Sequence, residues 1–570
     1  MTLPSELPDR VIIEQVTPEI DGGRFPIKRC TGDEVVVQAV IHTYSTDPIS
    51  AVLRYRFSKD GSWTEIPLKS LNAGLDLWEG RFVVDRPGSY EYTLAAWVDP
   101  GQSTTYRCLP LVVEPERARF GAWYELFPRS AGPDPSRSAT FREAEARLPE
   151  ISRMGFDVLY LPPVHPIGTS FRKGPNNSPV ARPEDPGCPW AIGSGAGGHR
   201  AIEPGLGTLE DFGHFVNAAQ AAGLEIALDL AFQCSPDHPY VREHPEWFKR
   251  RPDGSIRCAE NPPNKFEDIY PLNFECADWL SLWQELLEVT LFWIQRGVHL
   301  FRVDNPHTKT FHFWEWFIRE VHERHPDVIF LAEAFTRPRV MHYLSKCGFS
   351  QSYTYFIWRT TKYELTHYFQ ELTQSDVKEY LRPNLFVNTP DVLHTFLQTG
   401  GRPAFQIRLI LAATLAASYG IYGPPFELGE WRTFPWTEDY ADSEKYQIRS
   451  WEWDRHGNIK DLIALVNRIR RENPALHFNA NLSFHPVKNE SLLVYGKITP
   501  DRSNRLLIVV NLDPHRMQSG VVTVPVQEWG LPEHYEVHDL LSDRRFLWHG
   551  AYNFVQLDPQ LMPAHIFRIR

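Results

Sequence analysis

Between residues 11 and 114 the chain alternates apolar and polar positions in short runs, EVVVQAVIHTY, AVLRYRFSK, GSYEYTLAAWV and CLPLVVE among them, separated by Gly, Pro, Asp and Ser. A period of two broken by turn residues predicts antiparallel strands, and several in succession predict a β-sandwich over residues 1–115. From 116 to 476 the pattern changes. Apolar strand-like runs alternate there with segments of helical period such as TLEDFGHFVNAAQAAG and DWLSLWQELLEVTLFWIQRG, which predicts repeated βα units around a parallel sheet. After RRENPAL the short strands return in SLLVYGKI, RLLIVVNL, GVVTVPV and HIFRIR, predicting a second all-β sandwich over 477–570.

Eight strand candidates stand in the middle region: GAWYELF, FDVLYLPP, EIALDLAF, HLFRVDN, VIFLAEAF, SYTYFIW, NLFVNTPD and YGIYGPP. Eight parallel strands with helices between them make a (β/α)8 barrel, so the expected fold class is α/β, a TIM barrel flanked by N-terminal and C-terminal β-sandwiches. Asp304 and Glu333 lie 29 residues apart and Glu333 and Asp391 lie 58 apart, one and two βα units at roughly 30 residues each. The three acids are thereby predicted at the ends of the fourth, fifth and seventh strands, in one mouth. Long intervals leave inserted loops at about 164–205 and 234–275.

Composition narrows the partners. The 570 residues are 42% hydrophobic and 13% aromatic, enough for a sizeable core and for flat rings that pack on sugars. A net charge of −12 without a basic run argues against nucleic acid and anionic membrane. The seven Cys show no CxxC pair, so neither a zinc site nor a disulfide framework is indicated and a cytoplasmic setting is expected. No apolar run is long enough for a membrane span, and the start, MTLPSELPDR, does not read as a leader. His238 and His244 lack ligand spacing and read as surface or substrate-loop residues. FHFWEWF (311–317) reads as a helix packing on the barrel. No glycine-rich phosphate loop follows the first strand, so no cofactor is implied, and no metal.

Acids gathered in one mouth suit cleavage of a glycosidic bond, which requires an ionised carboxylate and a protonated one. Arg302 precedes Asp304 by two residues and so faces the same side of a strand, where its charge keeps Asp304 ionised, as a nucleophile needs. Glu333, in FLAEAF, has apolar neighbours that raise its pKa, which suits a general acid/base.

DLAFQ (229–233), FRVDN (301–305), LAEAF (331–335) and NTPD (388–391) resemble the four barrel motifs of the α-amylase superfamily, glycoside hydrolase family 13. Gln233-Cys234 and Pro390, together with YLPPVHPIGTSFRKGPNN, WAIGS, ENPPNKF and DSEKY, are similar to the bacterial α-1,4-glucan:maltose-1-phosphate maltosyltransferases. The resemblance implies a retaining transfer of maltosyl units through a β-glycosyl ester on Asp304. Glu333 would be the acid/base, and Asp391 and Arg302 would stabilise the transition state. Lys173, Asp229 and Gln233 would line the donor sugar pocket. Asn305, Ser194 and the loop containing Asn261 would hold the donor phosphate, with Lys445 and Tyr446 contributing. The partners implied are an α-1,4-glucan or maltooligosaccharide and maltose 1-phosphate, with a homodimer allowed. Two departures stand out. The phosphate loop has Asn264 and Phe266 where the family presents a Lys and a Tyr, with Lys265 as a substitute by register shift; the alternative is therefore a phosphate-independent, α-amylase-like hydrolase or disproportionating enzyme. The chain also passes from LAAWVDPGQSTTY to the barrel without the helical bundle that supports dimers in the family.

Overall fold

The computed structural model describes residues 10–99, 102–261 and 264–570, with only the backbone of Asn261 and Asn264. At its centre eight parallel strands run β1 (Gly121–Glu125), β2 (Val158–Leu161), β3 (Glu225–Leu230), β4 (Leu300–Asp304), β5 (Ile329–Glu333), β6 (Gln351–Ser352), β7 (Asn384–Phe386) and β8 (Ser418–Tyr422). Each pairs with its sequence neighbour, and β8 pairs with β1. The ring closes between β6 and β7 through a single parallel bridge, Ser352 to Pro383. These strands are buried on both faces, as a parallel barrel wrapped by helices demands.

The helices start where the sequence supplies caps. Thr208 with Asp211 and Thr361 with Glu364 form capping boxes at the heads of Leu209–Ala221 and Lys362–Gln374, each satisfying two otherwise orphaned N–H groups. Helix Phe311–Arg324 buries Phe313, Trp314, Phe317, Ile318 and Val321, so Phe313, Trp314 and Phe317 of FHFWEWF are core, at helical spacing, with Phe311 and Trp316 half-buried against it.

The sixth strand differs from its prediction. SYTYFIW forms a strand only at Ser352, and Tyr355–Trp358 is a 3-10 turn. Thr354 Oγ1 caps the N–H of Phe356, and the buried Arg408 guanidinium donates to the carbonyls of Phe356 and Arg359. Those bonds satisfy the backbone locally, so aromatic propensity for a strand is overridden.

The N-terminal region is two packed sheets of four and six strands. Gly88–Trp97 pairs antiparallel with Ser103–Thr105, Trp97 opposite Ser103. The C-terminal region has a six-stranded antiparallel sheet and a two-stranded one, Gln518–Thr523 with Tyr552–Leu557. Where the N-terminal sheets meet the barrel, Lys28 donates to the carbonyl of Ser345 at 2.6 Å, and the buried carboxylate of Glu114 pairs with Arg382. Arg382→Met strands Glu114 as an unpaired buried charge, and chemical denaturation is expected to read a loss of about 3–5 kcal/mol.

Candidate active site

Asp304 and Glu333 are the last residues of β4 and β5 and are register partners. Neighbouring strands are spaced about 4.8 Å apart, so the two side chains rise side by side at the C-terminal end of the barrel. Arg302 fills the gap beneath them. Its Nη1 donates to Asp304 Oδ1 at 2.8 Å and to Asp229 Oδ2 at 2.7 Å, and its Nη2 lies 3.3 Å from Glu333 Oε2. One guanidinium thus spans three carboxylates, as two-residue alternation along β4 allows.

The two acids part in protonation. Burial pushes Asp304 up, but Arg302 and then Lys309 and Lys445 outweigh it and hold the carboxyl below its usual range. For Glu333 burial wins: assisted by the charge of Asp304 and opposed by Arg302, it raises the carboxyl to about 7. The same guanidinium therefore leaves one carboxyl ionised and its neighbour ready to carry a proton.

Asn305 follows the strand in a left-handed conformation, φ 44°, which Asn tolerates better than most residues. That turn aims its backbone N–H at Glu333 Oε2, 3.1 Å away, while its side-chain amide donates to Asp304 Oδ2 at 3.3 Å. Lys309, buried, donates to the carbonyls of Asp304 and Asn305 at 2.9 and 3.1 Å and locks the turn. Lys309 was not singled out from the sequence, although it sits in the motif FRVDNPHTK; a cation five residues after a strand-end acid was the available signal.

Asp229, on β3, is fully buried. Besides Arg302, its Oδ2 accepts from Tyr160 Oη at 2.6 Å and Trp190 Nε1 at 3.2 Å, whereas Oδ1 has no protein partner. Tyr160 and Trp190 are further positioning residues that the sequence reading missed. Gln233 donates to the carbonyl of Trp190 at 3.2 Å. Over the Trp190 ring, 5.1 Å from its centre, lies the ammonium of Lys445, which also pairs with Asp391 Oδ1 at 2.6 Å. Burial works against that ammonium, but Asp391 keeps it charged. Tyr446 is half-buried beside it.

Two expectations are corrected by this arrangement. Asp391 does not end its strand: β7 stops at Phe386, and the acid sits five residues on, half exposed, in a turn closed between Thr389 and Val392. The buried Asn388 donates to the β8 carbonyl of Tyr422 and to the Tyr440 hydroxyl, so it fixes the chain before Asp391 can end the strand. Ala259–Asn261 pairs antiparallel with Asn264–Phe266, Glu260 opposite Lys265, and Lys265 is exposed. Finally, His238 is buried rather than on the surface.

Of the remaining phosphate and sugar candidates, Lys173 is buried against Glu267 Oε2 at 2.6 Å. Ser194 Oγ accepts from the Ala196 N–H at 3.2 Å. Phe266 packs against the main core. The side chain of Asn261, like that of Asn264, falls outside the described residues.

His238 approaches His199 and Cys234 closely enough for a shared ion. Its bonds speak against one: His199 Nε2 reaches the carbonyl of Ala231, His199 Nδ1 meets His238 Nε2, and His238 Nδ1 accepts from the Tyr240 N–H, all within 3.0 Å. Every ring nitrogen is occupied in one consistent pair of neutral tautomers. Gly193 and Gly198 pack on this pair so tightly that a Cβ on either would come within 2.3 Å of the His238 ring. The WAIGS loop needs its glycine for that approach. Past the end of β5 lies an open cavity of about 450 Å³, lined by Phe335, Thr336, Tyr355, Trp358 and Arg359.

Comparison with known proteins agrees with this geometry. A family model described as "Alpha-1,4-glucan:maltose-1-phosphate maltosyltransferase, domain N/S" matches residues 9–107, and one described as "GLGE, C-terminal" matches residues 484–569. Proteins named alpha-1,4-glucan:maltose-1-phosphate maltosyltransferase from Chlorobaculum tepidum and Myxococcus xanthus are each 45% identical over 98% of this chain, and cover 96% and 97% of their own lengths. A third, from Rhodospirillum rubrum, is 45% identical over 100% of this chain and 96% of its own length. The alignments extend over 647, 656 and 664 positions against 570 residues here, so these relatives carry insertions of several tens of residues that this chain lacks. Among solved structures, the α-amylase of Geobacillus thermoleovorans complexed with acarbose superposes with TM-score 0.62 at 16% identity, covering 79% of this chain and 98% of that one. A cyclomaltodextrinase superposes with TM-score 0.61 at 15% identity, covering 97% and 99%; these two share the fold. Sharing nearly half of its residues with the first three along almost its whole length, the chain belongs to the family of α-1,4-glucan:maltose-1-phosphate maltosyltransferases.

Proposed function

We propose that this protein moves maltosyl units from maltose 1-phosphate to the non-reducing end of an α-1,4-glucan with retention of configuration. The observation that carries the reading is the pair at matched register of β4 and β5: Asp304 held ionised, and Glu333 raised to about 7, where it can carry a proton. Both carboxyls contact the one Arg302 guanidinium, the close pairing that a retaining enzyme needs. The names of the close relatives support the donor and the acceptor.

In the first step an Asp304 oxygen attacks the anomeric carbon as the bond to phosphate breaks, and Glu333 gives its proton to the departing oxygen. The product is a β-maltosyl ester. In the second step Glu333, now ionised, takes the proton of the acceptor 4-hydroxyl, whose oxygen displaces Asp304. Arg302 touches both acids throughout and stabilises the charge that builds on the ester oxygen as it leaves. Asp229, whose Oδ1 is free of protein partners, and Asp391 with Lys445 accept and donate to sugar hydroxyls. The cytoplasm suits this chemistry: the cysteines are unpaired, and among the described residues no helix is long and apolar enough to cross a membrane.

The test is incubation with maltohexaose, with and without maltose 1-phosphate. Chains growing by two glucose units only when the donor is present are expected. Glucose, maltose or maltotriose released regardless of phosphate would replace the reading with the hydrolase alternative.

A further inference from the structure

Beyond the reaction centre, residues 431–441 form a hairpin that carries three exposed aromatic rings, Trp431, Phe434 and Trp436. Thr433 bridges Tyr440, and backbone bonds join Phe434 to Asp439 and Ala441 to Arg432. The base of this hairpin is pinned to the barrel mouth. Asn388 donates to the Tyr440 hydroxyl at 2.8 Å, and the N–H of Leu393, two residues past Asp391, donates to the carbonyl of Glu438 at 2.7 Å. The Glu438 carboxylate also accepts from Trp358 Nε1 at 3.0 Å, so one residue links the hairpin to the cavity past the end of β5.

At the tip, Trp436 is fully exposed and left-handed, φ 66°. A bulky side chain adopts that conformation only where its surroundings impose it, and such strain gathers at ligand-gripping sites. The hairpin spends a strained backbone on presenting an indole to water.

We infer that this hairpin is a platform for a neutral α-glucan chain, engaging the acceptor several glucose units away from the bond being formed. The inference rests on the acceptor glucan of the proposed function. The acceptor must enter beside Glu333, because that carboxylate takes its proton; two residues on, Phe335 lines the aromatic cavity, and Trp358 of that cavity bonds Glu438 of the hairpin. Aromatic faces pack on the apolar C–H faces of glucose. The hairpin's one cation, Arg432, pairs with Glu430 at 2.9 Å, so no unpaired positive charge stands beside the rings to favour an anionic ligand over an uncharged polymer.

Electrophoresis through gels with and without glycogen reads the platform without catalysis, and acceptor kinetics with maltose 1-phosphate read it with catalysis. Trp436→Ala is expected to lose part of its retardation by glycogen and to raise KM for maltoheptaose and longer acceptors about three- to ten-fold. The value of kcat and the KM for maltose 1-phosphate hold, and Trp436→Tyr restores most of the affinity. Tyr552→Ala, which removes an exposed ring from the far C-terminal strands, leaves both readouts unchanged. Equal retardation of wild type and Trp436→Ala, equal loss in Tyr552→Ala, or a loss that tracks a dimer-to-monomer change on a sizing column would each overturn the inference; the last assigns the hairpin to a second copy of the chain. If retardation depends on Trp436 but no transfer from maltose 1-phosphate occurs, the proposed function fails and the platform stands.

Discussion

Asp304→Asn is expected to fold normally and to lose transfer activity by on the order of 10⁵- to 10⁶-fold, the scale seen when a nucleophile that works as part of a unit is removed. The amide matches the carboxylate in shape, and Arg302 keeps its bond to Asp229 at 2.7 Å, so the loss reflects chemistry rather than collapse of the mouth. An intact-protein mass provides the positive counterpart. Glu333→Gln supplied with a maltosyl donor whose leaving group needs no proton is expected to form the ester and to release it slowly, gaining the mass of one maltosyl unit at Asp304. An Asp304→Asn variant that retains measurable transfer, or a Glu333→Gln protein that never acquires the adduct, would remove the covalent route.

The second large effect belongs to Glu333. Glu333→Gln is expected to lower kcat/KM for maltose 1-phosphate by about 10²–10⁴-fold, the range for removing a positioned general acid/base. The sign of the pH dependence follows from the direction of its shift. Donor cleavage needs Glu333 protonated, and with its carboxyl raised to about 7 that proton is lost as pH rises through neutrality, so kcat/KM falls on the alkaline side. Asp304 must be ionised, and because it is held below the ordinary aspartate range the acid limb lies far lower. In Glu333→Gln the alkaline limb near 7 should vanish. Its persistence would assign that limb to another group.

Much of this site was legible in one dimension because a barrel repeats. A βα unit has nearly constant length, so Asp304 and Glu333, 29 residues apart, fall at the ends of successive strands and at matched register. Alternation along β4 likewise places Arg302 under Asp304. The same reasoning failed at Asp391, where Asn388 turns inward to bond β8 and the acid belongs to a turn. It failed again at SYTYFIW, where the buried guanidinium of Arg408, about 50 residues downstream, takes the carbonyls that a longer strand would have used. Lys309 and Trp190 were missed because their partners, a carbonyl at Asp304 and a carboxylate at Asp229, are not adjacent to them in any periodic sense.

What the sequence determined by itself was the set of elements and the chemistry they carry: strands and helices follow from local periods of two and 3.6, and a strand-end acid is visible wherever it occurs. The protonation of that chemistry and its reach depend instead on how the folded chain brings distant groups together. Asp304 and Glu333 are both carboxylic acids ending apolar strands, and their opposite shifts arise from how Arg302, Lys309 and Lys445 divide their charge between them in a buried mouth. The pinning of the Trp436 hairpin to Asn388, Leu393 and Trp358 is likewise a matter of contacts between distant segments. Electrostatic fields and long-range contacts depend on distances through space, and the order of residues along a chain records those distances only where the fold is periodic.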